Sequence, residues 1–143
     1  MTVVELTVVL CIVGVLLAIV VPAYQNYRER LRIDQAKRDI VVMAGVIANF
    51  RQDQRAYPDS LAGAGLGGMR DPWGNPYGDL YLGEPNARGH ARKDHSLVPI
   101  NTDFDLYSMG PDGRSAPPLT AQHSRDDIVR ANDGAFIGVA ADY

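Results

Sequence analysis

The hydrophobic pattern starts as an unbroken run and then becomes periodic. Residues 6–27, 22 positions in all, carry no charge. At ~1.5 Å rise per residue, an α-helix of that length crosses a ~30 Å hydrocarbon layer. Beyond it, Ile33, Ala36, Ile40, Ala44, Ile47 and Phe50 recur at spacings of three and four, with Arg, Asp and Gln between them. That spacing marks a helix with one buried face. It predicts a single helix continuing to about Gln54, ended by Tyr57-Pro58, because a residue ahead of proline is pushed out of the helical region. The polar face suits either solvent or contact with another subunit.

The pattern then shortens. "GAGLGGM", residues 63–69, reads as a flexible loop, and "DPWGNPY", residues 71–77, as successive turns. Trp73 and the neighbouring tyrosines are expected to pack those turns onto the helix. Residues 79–82 and 104–108 are short runs of β-formers between turn signals, and a third strand is expected near 135–139. The predicted fold is α+β, a long N-terminal helix whose amphipathic second half packs on a small antiparallel sheet. Residues 1–27 are expected to form a membrane-spanning helix. Residues 28–143 form a head that includes the second half of the helix, residues 28–54.

Charge and cysteine content narrow the possibilities. The net charge of −3 points away from nucleic acid as a partner. Residues 28–55 are net basic and residues 101–143 net acidic. The lone cysteine, Cys11, lies in the apolar run, so an intrachain disulfide is excluded. No Lys or Arg precedes Leu6, and Tyr-Gln-Asn-Tyr follows Ala23, so the apolar stretch is expected to be a retained helix rather than a cleaved signal. Gly14 and Pro22 weaken it, and outside lipid the helix is expected to break between them. Glu5 stands alone at its start, and a carboxylate beside lipid is costly without a partner.

The acidic end offers a second piece of chemistry. Asp112, Asp126, Asp127 and Asp133, with Ser124 and Asn132, are hard oxygen donors of the kind that hold Ca²⁺, although no EF-hand loop is present. The alternative is a solvated acidic loop. Dinucleotide, P-loop, zincin and C-x-x-C motifs are all absent, and His90, His95 and His123 are scattered, so an enzyme is not expected.

Met1-Thr2-x-x-Glu5-Leu6, the apolar run and Val21-Pro22-Ala23-Tyr24 resemble the start of type IV pilins and type II secretion pseudopilins. "DPWGNPY" and "FDLYSMGPDG" resemble two further blocks of the major pseudopilins. The resemblance implies that Met1 stands at the processed, methylated N-terminus, where the family usually has Phe. It implies that Glu5 neutralises Met1 of a neighbouring subunit during assembly. It also implies Ca²⁺ in the C-terminal loop, held by the Met109 carbonyl, Asp112, Ser124 and Asp126, with Asp127 as a further ligand. The implied partners are other copies of the chain in a filament, membrane lipid before assembly, a prepilin peptidase and methyltransferase, minor pseudopilins and the inner-membrane assembly machinery. The implied location is the inner membrane with the head in the periplasm, then a periplasmic or surface filament. A surface pilin, or a membrane-anchored calcium protein that never polymerises, are the alternatives.

Overall fold

A computed structural model describes residues 2–95 and 98–143. The chain divides into two compact units, Met1–Arg32 and Ile33–Tyr143. Helix α1, Val3–Gln54, supplies all the regular structure of the first unit and the first element of the second. It is the one helix among the described residues long and apolar enough to cross a membrane. It runs continuously through Gly14 and Pro22. Pro22 removes only the bond to the Ala18 carbonyl, and the Val, Leu and Ile residues on either side keep the ladder going.

In the second unit α1 buries Ala36, Ile40, Met43 and Ile47, with Ile33 and Ala44 partly covered. The expected stripe is present as far as Ile47, with Met43 added to it, while Phe50 is only partly buried and lies outside the core cluster. The sheet has four antiparallel strands in the order β1 (Gly78–Tyr81), β4 (Phe104–Ser108), β5 (Ile128–Ala131), β6 (Phe136–Val139). Two short strands, β2 (Lys93–Asp94) and β3 (Val98–Pro99), pair separately after a one-turn helix α2, Ala87–His90. The three expected strands are therefore found, and β5 is an addition.

Side-chain alternation divides the core into two layers. Phe104, Leu106 and Ile128 face α1 together with Tyr77 and Leu61. Val129 and Ala131 face the other way, where Ile100, Leu119 and Ala140 cover them. Every residue of β5 is buried, Arg130 included. Arg130 is tolerated because its Nη1 and Nη2 reach Asp103 at 2.8 Å and its guanidinium lies 4.1 Å over the Phe104 ring.

The two diagnostic turn blocks are bonded to each other. Asp71 Oδ1 accepts from the amides of Trp73 (3.1 Å) and Asn75 (2.8 Å), closing an Asx-type turn. Its Oδ2 accepts from Ser108 Oγ at 2.6 Å, and Asn75 Nδ2 donates to the Gly110 carbonyl at 3.1 Å. Tyr77 Oη donates to Asp39 Oδ2 at 2.8 Å and ties the same block to α1. Trp73 packs against the helix-side core, as expected. At Gly78 a Cβ would sit 2.3 Å from the Tyr107 ring, so only glycine lets that ring lie across the strand pair.

Candidate assembly and loop-closure sites

The start of α1 is capped from within the chain. The Thr2 amide donates to Glu5 Oε2 at 2.6 Å, and the Glu5 amide donates to Thr2 Oγ1 at 3.2 Å. This is a capping box, in which two orphan amides of the first turn are satisfied reciprocally. Thr-x-x-Glu ahead of an apolar run is its sequence signature, and it went unread in the sequence. Glu5 thus has a partner in its own chain. Met1, its expected partner in a neighbouring subunit, lies outside the described residues. All of residues 2–27 are exposed, Cys11 among them.

The C-terminal loop leaves β4 through Met109 and turns at Gly110 and Gly113, both at positive φ (64° and 65°). At Gly110 a Cβ would lie 2.4 Å from the Asp126 carbonyl, so glycine is needed both for the turn and for the approach of the returning chain. Beyond the turn, the structure separates the expected metal ligands into two groups.

The outer group is Asp112 and Asp126. The Asp112 amide donates to Asp126 Oδ2 at 3.3 Å, and Asp112 Oδ1 accepts from the Arg114 amide at 2.8 Å. His123 Nδ1 stands 3.4 Å from Asp112 Oδ2. Arg114 and Arg125 line the same open depression.

The inner group is Ser124 and Asp127, both fully buried. Ser124 Oγ donates to the Ala116 carbonyl at 2.7 Å and accepts from the Ala116 amide at 2.8 Å. Asp127 Oδ2 accepts from Ser115 Oγ and forms a 3.0 Å ion pair with Arg92. Asp127 Oδ1 is buried without a hydrogen-bond partner. Burial pushes the Asp127 carboxyl up to about 7, while Ser115 and Arg92 pull it back.

The five expected ligands therefore do not fit one calcium cage. Ser124 and Asp127 face a guanidinium, and a second cation there would meet like charge. Among the described residues no three His, Cys, Asp or Glu side chains converge as a metal site. Sequence reasoning missed Arg92. It lies in the polar stretch between the recognisable blocks, and nothing local marks it as buried.

A long helix with an exposed apolar half and a buried amphipathic half, packed on a small antiparallel sheet, defines a pilin-like subunit. The chain is 31% identical to the type II secretion system core protein G of Pseudomonas aeruginosa, an alignment covering 79% of this chain and 83% of that one. It is 27% identical to the protein of that name from Klebsiella pneumoniae, over 89% of each. It is 34% identical to the fimbrial protein EcpC of Eikenella corrodens, over 46% of this chain and 42% of that one. No protein-family model and no solved structure matches. The chain belongs to the type II secretion system core protein G family, the major pseudopilins.

Proposed function

We propose that this chain is the structural subunit of a helical cell-envelope filament, the major pseudopilin of a type II secretion system. The observation that carries the proposal is the exposed apolar half of α1 in a member of this family. An apolar helix without partners in its own chain is stable in lipid, or against copies of itself. Before assembly the helix sits in the inner membrane with the head in the periplasm. Extraction then exchanges lipid for neighbouring helices, and no covalent bond changes in that step. Glu5 opens its capping box to meet Met1 of the next subunit, which sets the register that non-directional apolar contacts leave free. A prepilin peptidase and methyltransferase, minor pseudopilins and an energised inner-membrane machine are the partners this requires. No catalytic role is assigned to any residue.

Gene deletion with complementation tests the proposal. Loss of secreted proteins from the supernatant, with surface fibres unchanged, is expected. Normal secretion with missing fibres would make the chain a surface pilin, a second reading that the similarity to the fimbrial protein favours.

Calcium is proposed for the outer group alone, held by Asp112, Asp126 and the Met109 carbonyl with water completing the six to eight ligands it takes. The adjacency of Asp112 and Asp126 supports this reading. Calorimetric titration of wild type and Asp112→Ala checks it. Equal calcium heats in the two would exclude the site.

A further inference from the structure

A buried cation sits where the C-terminal loop returns to the sheet. Arg92 is 3% exposed. Its Nη1 donates to the Ala116 carbonyl at 2.5 Å and to Ser124 Oγ at 3.5 Å. Its Nη2 donates to Ser115 Oγ and lies 3.0 Å from Asp127 Oδ2. The Tyr107 ring stacks against the guanidinium, 3.6 Å from Cζ to the ring centroid. One carbonyl, two hydroxyls and one carboxylate, all from residues 115–127, thus converge on a single positive group. That is the donor chemistry of a hard-cation site.

The backbone beside Arg92 holds the same loop. The Lys93 amide donates to the Pro117 carbonyl at 3.0 Å, and the Leu119 amide donates to the Lys93 carbonyl at 2.9 Å. The Arg92 amide donates to the buried Asp105 Oδ2 at 2.6 Å, which fixes where the side chain starts.

We infer that Arg92 is the built-in cation of the C-terminal loop, and that its guanidinium closes residues 113–127 onto the sheet whether or not the outer pair holds calcium. Guanidinium suits the task because it stays charged at any working pH and spreads its donors in a rigid plane. A lysine ammonium is a point charge and does not reach four oxygens spread along that plane. Asp127, buried beside the sheet, needs a counter-charge within the fold once it ionises, and Arg92 supplies it. Closure by a side chain is also independent of the calcium concentration around the filament. The inference does not rest on the filament proposal, because neither Glu5 nor the apolar half takes part.

Thermal unfolding of the full chain in detergent micelles, with excess calcium or excess EDTA, tests it. Wild type is expected to melt somewhat higher in calcium through the outer pair, but to shift by less between the two conditions than Arg92→Met shifts from wild type in either. Arg92→Met is expected to lower Tm by more than about 10 °C in both, the scale of a broken buried ion pair in a domain of this size. Arg92→Lys should lose most of the same stability. The double variant R92M/D127L should recover at least half of it, because removing both charges leaves neither unpaired. If Arg92→Met fails to fold, the wild-type chelation result and Arg92→Lys decide the question. The inference is overturned if EDTA lowers wild-type Tm as far as Arg92→Met does, or if excess calcium restores Arg92→Met to wild type.

Discussion

Residues 6–27 and residues 36–47 belong to one helix, yet only the second set finds apolar partners within the chain. Both are rich in Val and Ile. In the first set every side chain is exposed, while in the second every third or fourth is buried under the sheet. The difference lies in what fills the positions between. Lys37, Arg38 and Asp39 break the second set, and Ala36, Ile40, Met43 and Ile47 fall on one face that turns inward. No charge interrupts the first, and no part of the chain covers any of its faces. An apolar helix with no preferred face needs surroundings on all sides, which lipid or a bundle of identical helices provides.

Substitutions on the two sides of this comparison should behave in opposite ways. The largest effect is expected from Leu16→Asp. A charge at the centre of a membrane helix costs about 2.5–3.5 kcal/mol on insertion scales. Filament yield in cells should fall to background, while the head keeps its Tm by circular dichroism. Ile40→Ala should reverse that pattern. It removes a fully buried side chain from the layer between α1 and the sheet and should destabilise the head by about 2–5 kcal/mol in denaturant titration. Asp71→Ala is expected to cost less, about 1–3 kcal/mol, by leaving the amides of Trp73 and Asn75 and the Ser108 hydroxyl short of their shared acceptor. A Leu16→Asp head that melts early, or an Ile40→Ala head that does not, would break the division.

The smallest effect is a pH dependence confined to the head. The Asp127 carboxyl is raised to about 7 by burial, and Asp105 is raised for the same reason. Between about 4, where an unfolded aspartate ionises, and about 7, the native head holds protons that the unfolded chain has released. The contribution of these groups to stability is therefore present at the acidic end of the window and lost as pH rises through it. Asp133 works the other way. The amide and hydroxyl of Thr102 hold its carboxyl below the usual range, so its contribution is present above about 4 and lost on acidification. Melting curves collected from pH 4 to 8 should show the falling limb in wild type and a flatter one in Asp127→Asn.

The sequence revealed features whose causes are local. The end of α1 near Gln54 was readable from Tyr57-Pro58, and β4 from the alternation in Phe-Asp-Leu-Tyr-Ser. The packing role of Trp73 followed from the turn that carries it. The capping box of Thr2 and Glu5 is equally local, written in Thr-x-x-Glu ahead of the apolar run. What stayed hidden depends on distant partners. β5 reads as polar because Asp126 and Asp127 precede it and Arg130 sits inside it. Arg130 is buried only because Asp103, 27 positions earlier, is there to meet it. Arg92 and Asp127 are separated by an even longer stretch of chain. Acidic residues clustered in sequence suggested a metal, and folding divided the cluster between an outer depression and an internal guanidinium.

Electron microscopy of sheared envelope fractions from cells expressing wild type or Glu5→Ala, with matched subunit levels, tests the central claim most directly. The account predicts filaments from wild type, and from the variant only membrane-embedded subunits with a normally folded head. Filaments in equal yield from both would contradict the role given to Glu5. Wild-type subunits that never leave the membrane would contradict the claim that copies of this chain complete the apolar half of its helix.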